Sequence, residues 1–283
     1  YLNACLLLLS MGKPTNLNRF DAGVPFQGAD AKDHQEGFAH YGGPHILTLV
    51  TEVATRALKA VRFQKFNNHR RLRPEALAAR MEKLEEVTAC LHKDRDQKVI
   101  KDLKKTHREL REAGLFKLLR KENNKNLLLP MAFQEGSPMH PAYGAGHATV
   151  AGACVTILKA FFNHKAYLSI VADGTTFSLS DTAGNRAFVP PAIESKKNEL
   201  VTMPSAALTV EGELNKLAAN ISIGRDWAGV HYYTDYTESM LLGEEIAIKL
   251  LEEQAITYNP LENFHMTLPK FDGTEIVIAA PKA

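Results

Sequence analysis

Residues 44–65, PHILTLVTEVATRALKAVRFQK, set the fold class. Leu47, Val50, Val53, Ala54, Ala57, Leu58 and Val61 recur three and four residues apart, the spacing that lines one face of an α-helix. A helix is therefore expected over about Pro44 to Lys65. Downstream, Asn67 to Arg73 read as a basic loop or helix end. Pro74 suits the first position of a following helix, where its missing N–H would go unbonded anyway. Further helices are expected over about Ala148 to Phe162, Glu211 to Ile223 and Tyr236 to Gln254, with Gly224 to Val230 as a break between the last two. Residues 1–11 read as the end of an apolar helix stopped by Gly12 and Pro14, and residues 12–43 as a long loop rich in Gly, Asp, Asn and Pro. Leu127 to Tyr143 is a loop carrying Pro130, Pro138 and Pro141. Residues 163–205 hold short strands and loops, and residues 271–278 a small hairpin or terminal strand. The expected class is mainly α with minor β hairpins.

Residues 75–126 differ in character. Lys, Arg and Glu dominate, with apolar residues every three or four positions (Leu84, Val87, Leu91; Leu103, Leu110, Leu115, Leu118, Leu119). One or two exposed, charge-laced helices are expected, forming a solvated insertion rather than a nucleic-acid surface. Acids interleave with the bases there, and no aromatic spacing accompanies them. The whole chain carries 34 basic and 32 acidic residues, a net charge of +2, so any positive site must be a local concentration. No apolar run approaches the roughly 18 to 20 residues that span a bilayer. A 45% hydrophobic and 23% charged composition excludes wholesale disorder and a fibrous repeat. Cys5, Cys90 and Cys154 are too few and too scattered for a disulfide framework or a zinc site. The chain opens at Tyr1 in what reads as a helix, with neither methionine nor signal peptide. The expectation is that an N-terminal portion precedes it, and the compartment is left unassigned.

Three constellations stand out. Lys65 ends a helix beside the basic cluster His69, Arg70, Arg71 and Arg73. A cation at a helix C-terminus complements the dipole, an ordinary structural role. Arg73 immediately before a helix start is less usual and suggests an anion between it and the helix. His140-Pro141-Ala142-Tyr143-Gly144-Ala145-Gly146-His147 leads into a helix, where glycines let the backbone approach a ligand and free N–H groups favour an oxyanion. The alternative is a turn that simply needs glycine. Gly224-Arg225-Asp226-Trp227-Ala228-Gly229-Val230-His231 is followed by Asp235, four residues beyond the histidine. On a helix the two would share a face, either as a surface pair or as a carboxylate fixing the imidazole tautomer. Taken together, Lys65, Arg73, Arg225, the Gly146 amide, His147 and His231 fit a small, highly charged oxyanion such as phosphate or vanadate, with bidentate arginine contacts. His231 could bond to its central atom.

These segments resemble the three-part signature of the vanadium-dependent haloperoxidases and the type 2 phosphatidic-acid-phosphatase-like acid phosphatases. Leu127 to Phe133, His140 to Tyr143, Gly152 to Phe162 and Ala228 to Tyr232 are similar to the algal and cyanobacterial bromoperoxidase branch, as is the eight-residue step from Lys65 to Arg73. The resemblance covers most of the chain outside 75–126 and implies a helical bundle, with residues 1–283 as one catalytic domain from the C-terminal part of a longer chain. It implies vanadate as cofactor, with His231 as vanadium ligand. Lys65, Arg73, Arg225 and the Gly146 amide would hold the oxygens, and His147 would act as acid/base. Arg62, one turn before Lys65, and His140 would lie near the halide, with Asp235 behind His231. The family usually has serine where this chain has Ala145, which removes one hydrogen bond to the oxyanion.

The implied partners are hydrogen peroxide, a halide (bromide, iodide or chloride) and a small organic acceptor. A homo-oligomer is implied, without nucleic acid or membrane. The implied reaction is halide oxidation to hypohalous acid, with His147 moving protons and Lys65 acting as a local cation. An acid phosphatase with His231 as nucleophile shares the same anion cradle. A third possibility is an inactive helical oligomerisation module.

Overall fold

The computed structural model describes residues 1–11, 18–27, 36–170, 177–180, 187–189, 201–203 and 208–282. The chain divides into two compact units: Tyr1–Ala60, Gly146–Ile221 and Ser239–Ala283 form the first, Val61–Ala145 and Ser222–Glu238 the second. Each has its own apolar cluster.

The first unit is built on α1 (Leu2–Ser10), most of α2 (Gly43–Phe63), α7 (Gly146–Phe161), and most of α8 (Val210–Trp227) and α9 (Tyr233–Ala255). The apolar period read in residues 44–65 faces its core: Leu49, Val50, Val53 and Ala57 are buried. Helix α7 is buried from Ala148 to Phe161 except at the half-buried Val150, as a helix without a polar face must be. It lies against α9 at two glycines. A Cβ on Gly152 would come within 2.1 Å of the Met240 carbonyl, and one on Gly243 within 2.1 Å of the Thr149 carbonyl. Only glycine permits that approach.

Among the described residues the unit also holds three antiparallel strand pairs: β1 (Tyr167–Ile170) with β2 (Phe177–Ser180), β3 (Ala187–Val189) with β4 (Val201–Met203), and β5 (His265–Pro269) with β6 (Glu275–Ala279). The last turns at Gly273, whose φ of +83° suits glycine. It inserts Met266, Leu268 and Ile278 into the core. The expected hairpin at 271–278 is present, with its first strand beginning further upstream. Gly12 and Pro14, the expected stop after α1, lie outside the described residues, as do parts of the loop 12–43 and of the strand region 163–205.

The second unit holds α3 (Pro74–Glu82), α4 (Leu84–Ala89), α5 (Gln97–Glu112) and α6 (Leu115–Glu122). The charged stretch 75–126 is thus four short helices, not one or two. Lys83 and Gly114 break the pattern, and Gly114 adopts a φ of +79°. Nor is the stretch merely a solvated face. Met81, Leu103, Phe116 and Leu127 form a core, with Leu77, Leu84, Val87, Leu91, Leu110 and Leu119 around it. Two α3 carboxylates tie down the loop that follows α6. Glu82 accepts from the Leu127 N–H at 2.9 Å, and Glu75 accepts from the Ser137 N–H at 2.9 Å.

Two helix boundaries depart from the sequence reading. Helix α2 passes at Gln64 into a π-helical segment, Gln64–His69, which ends at Arg70 in the left-handed region. Helix α8 runs through Gly224 to Trp227, so the expected break starts later. Glycine inside a helix costs about 1 kcal/mol, which surrounding structure readily overrides.

Candidate oxyanion site

Within the second unit, the π-helical segment buries Lys65, and the loop 127–145 receives it. Its Nζ donates to the Pro141 carbonyl at 2.7 Å and to the Ala142 carbonyl at 3.0 Å. Burial, reinforced by the nearby Arg73 charge, lowers its pKa to about 7. π-Helical turns are rare and occur often at functional sites. Here the widened turn also separates two residues expected to point the same way, since Lys65 is buried and Arg62 exposed. Arg62 still contributes positive charge at His140.

Arg73 precedes α3, but its guanidinium turns away from that helix start. Nε donates to the His140 carbonyl at 2.8 Å, and one terminal nitrogen to the Val230 carbonyl at 2.7 Å. The terminal nitrogens also reach His231 Nε2 at 3.0 Å and His140 Nδ1 at 2.8 Å. Arginine has only donors, so both ring nitrogens accept. His140 Nδ1 also lies 3.3 Å from the Pro141 carbonyl. An accepting nitrogen cannot donate there, so the shorter Arg73 contact is the hydrogen bond. The Arg73 side chain thus contacts two histidines and two carbonyls. Burial, the largest influence, lowers the Arg73 pKa to about 10.

His231 sits two residues ahead of α9, in the turn after Gly229. That glycine has a φ of +77°, and a Cβ there would lie 3.0 Å from the Pro130 carbonyl. His231 Nδ1 meets Asp235 Oδ2 at 3.0 Å. The same oxygen accepts from the Tyr232 N–H at 3.1 Å, one half of a capping box at the start of α9. The expected partner is correct, but the pair is buried rather than on the surface, with Asp235 0% exposed. With Nε2 accepting from Arg73, the proton sits on Nδ1 and the ring is neutral. Burial lowers the His231 pKa to about 4, against the opposing pull of Asp235. Burial alone would raise Asp235, but donation from His231, Tyr232 and Arg71 outweighs it and holds the carboxylate below its usual range.

Arg225 occupies the last turn of α8, its guanidinium 5.6 Å from the centre of the Phe133 ring. Its buried Nε has no hydrogen-bond partner. Ala145 is buried in this unit. Gly146 and His147 open α7 in the first unit, where the Tyr1 hydroxyl donates to the His147 carbonyl at 3.3 Å. Two polar residues escaped the sequence reading. Arg71 donates to Asp235 Oδ1 at 2.8 Å. Asp226 has both carboxylate oxygens buried without a partner, and burial raises its pKa to about 6. Arg71 lay in the visible basic cluster, whereas nothing in the sequence marked Asp226 as buried.

Lys65 and Arg73 therefore act on a neutral imidazole, and Arg225 acts on Arg73. The carboxylate among them is already shared by His231 and Arg71. Burial, with a smaller contribution from neighbouring cations, lowers Lys65 and Arg73 against the pull of Asp235, and Arg225 Nε is buried without a hydrogen-bond partner. Among the described residues, no group of three or more His, Cys, Asp or Glu side chains is placed to hold a metal cation. Such a set suits a small tetrahedral oxyanion, which vanadate is.

A mainly helical protein with buried cations beside a buried, carboxylate-held histidine is the class that the fold and these residues define. The sequence pattern of the VCPO second helical-bundle domain matches residues 47–258, and the chain belongs to that family. It is 47% identical over 292 residues to a vanadium-dependent bromoperoxidase of Corallina pilulifera, covering 98% of this chain and 43% of the relative. It is 32% identical over 237 residues to a vanadium-dependent bromoperoxidase of Ascophyllum nodosum, covering 83% of this chain and 38% of the relative. Among solved structures, the homohexameric second vanadate-dependent bromoperoxidase of Ascophyllum nodosum matches with a TM-score of 0.58 and 27% identity, over 88% of this chain and 42% of that one. The chain thus spans less than half the length of these relatives. No helix among the described residues is long and apolar enough to cross a membrane.

Proposed function

We propose that the chain is the catalytic portion of a vanadate-dependent haloperoxidase that oxidises bromide with hydrogen peroxide to hypobromous acid, which halogenates a small organic acceptor. The single observation that carries this reading is the neutral, Nδ1-protonated His231 held by Asp235 beside the buried cations Lys65 and Arg73, in a chain 47% identical to a vanadium-dependent bromoperoxidase. Bound vanadate supplies the activation of hydrogen peroxide toward halide. His231 would ligate vanadium through Nε2, since Asp235 keeps the ring proton on the other nitrogen. Lys65, Arg73 and Arg225 would neutralise the oxyanion, in a buried setting where each charge is worth more than in water. His140, neutral and held by Arg73, and the Arg62 cation would lie where halide approaches.

The roles of the Gly146 amide and of His147 as proton carrier rest on the family resemblance alone, as does the action of residues 1–283 as one catalytic domain. Assembly into a homo-oligomer is part of the same proposal, after the hexameric Ascophyllum relative.

The test is peroxide- and bromide-dependent bromination of a phenolic dye, before and after vanadate loading. Activity should require vanadate and vanish in His231→Ala with the fold intact. Phosphate should slow vanadate reconstitution. Full bromination by His231→Ala, or phosphomonoester hydrolysis in place of bromination, would overturn the reading.

A further inference from the structure

We propose that Arg71 is a positioning residue for His231, acting through Asp235 without touching the anion. This role rests on the oxyanion reading of the same site.

Asp235 has two oxygens and divides them cleanly. Oδ2 takes His231 Nδ1 and the Tyr232 N–H. Oδ1 takes Arg71, whose same terminal nitrogen also donates to Thr234 Oγ1 at 2.8 Å. The guanidinium lies 4.3 Å from the centre of the Tyr232 ring and 5.9 Å from that of Tyr143. Arg71 is thus held in direction by a ring face and two acceptors, and it fixes the plane of the carboxylate that orients His231.

An exposed ion pair would be worth little. This pair differs because its acidic member is 0% exposed. Removing the arginine leaves one oxygen of a buried carboxylate unbonded, a costly state that the group relieves by rotating or taking up a proton. Either response weakens the acceptor at His231 Nδ1 and leaves Arg73 alone to hold the ring proton off Nε2, the nitrogen the anion needs.

The Arg71 main chain serves the Lys65 side independently. Its carbonyl accepts from the Ala142 N–H at 2.9 Å, and the Ala142 carbonyl in turn accepts from Lys65. Substitution at 71 keeps that bond, so a variant reports on the side chain alone. Lysine could supply the charge but neither the planar stack nor the shared nitrogen geometry.

The experiment uses the full chain labelled with ¹⁵N-histidine. The His231 resonances are assigned by their loss in His231→Ala, and orthovanadate affinity is measured by calorimetry. Wild type should show the Nδ1-protonated tautomer. Arg71→Met should show a mixture with the Nε2 form and bind orthovanadate about 10-fold more weakly, the lower end for loss of an outer partner of a ligating histidine. Arg71→Lys, which keeps the charge without the stack or the fork geometry, should restore only part of both. If Arg71→Met does not fold, Arg71→Gln replaces it with the same expectations.

An unchanged tautomer and unchanged orthovanadate affinity in a folded variant, even one with a lower melting temperature, would overturn the positioning role. If instead His231→Ala binds orthovanadate as wild type does, the oxyanion reading fails, while the tautomer measurement still decides whether Arg71 orients His231.

Discussion

Lys65 and Lys159 are both buried, 2% and 0% exposed, yet they are treated in opposite ways. Lys159, on α7 in the first unit, has its Nζ 3.8 Å from Glu244 and 4.0 Å from the centre of the Phe271 ring, with no hydrogen bond. Glu244 also accepts from the Phe271 N–H at 2.8 Å. That cation is compensated inside the fold by a carboxylate and an aromatic face, and the trio fastens the C-terminal hairpin to α7 and α9. Lys65 in the second unit has two carbonyl acceptors and a neighbouring cation, Arg73. One lysine is neutralised from within. The other, with a pKa of about 7, feels both the Arg73 cation and the Asp235 carboxylate, and an arriving anion would hold it in its charged form.

Removing each lysine breaks the comparison most sharply. Lys159→Met strands Glu244 in the core, and stability should fall by about 3–5 kcal/mol, the usual cost of unpairing a buried ion pair. Activity per folded molecule should not change. Adding Glu244→Gln should recover most of the loss, and denaturant melts of the single and double variants measure it. Lys65→Met should do the reverse: bromide oxidation should drop about 100-fold, roughly 2.7 kcal/mol of lost transition-state stabilisation, with less effect on stability than Lys159→Met. If Lys65→Met unfolds the protein and Lys159→Met silences it, the assignment of roles is inverted.

Titration sharpens the same contrast. Burial, opposed by Glu244, lowers the Lys159 pKa from 10.5 to about 8. Below pH 8 the folded and unfolded chains are both protonated there, and the burial penalty is fully present. From about pH 8 to 10 the unfolded chain binds a proton that the folded chain has lost, so stability rises with pH, on the order of 2 kcal/mol. The rise should be present in wild type and absent from Lys159→Met/Glu244→Gln, compared by urea melts. Parallel curves through pH 10 would show that Lys159 is not held as a desolvated cation.

The two lysines also mark what a sequence exposes. Helix α2 was legible because its apolar residues keep one period, and the hairpin near Gly273 because turn residues are specific. The π-helical segment was not, since Gln64 to His69 carry no pattern that separates a widened turn from an ordinary one. Gly224 misled because propensity is weak against packing. His231 and Asp235 were paired correctly on an incomplete ground: spacing brought them together, but the histidine precedes the helix, and burial decides what the pair can do. Arg73 drew notice through its place before a helix, whereas its contacts to two carbonyls and two imidazoles come from segments distant in sequence that only folding brings to it. Lys159 passed unnoticed inside an apolar run, because a single buried charge is invisible until its partner 85 positions away is brought to it (159 to 244).

The smallest expected effect tests the Lys65 side by addition. Ala145 is buried in the second unit, at the position where the family usually carries serine. If that side chain faces the oxyanion, a hydroxyl there donates one hydrogen bond to it, and Ala145→Ser should tighten vanadate binding by about tenfold, equivalent to about 1.4 kcal/mol and near the lower end for a bond to a charged group. The gain in halide oxidation should be larger for chloride than for bromide, because chloride is the harder to oxidise. If the position faces protein instead, the buried hydroxyl finds no partner and the variant loses stability by about 1–3 kcal/mol with no gain in affinity. Calorimetric vanadate titration and a thermal melt of both forms at one pH separate the two outcomes. A tighter anion with an unchanged melt means the cradle was short of one donor. A weaker fold with unchanged affinity would place Ala145 outside the cradle, leaving Lys65, Arg73, Arg225 and His231 to hold the anion without it.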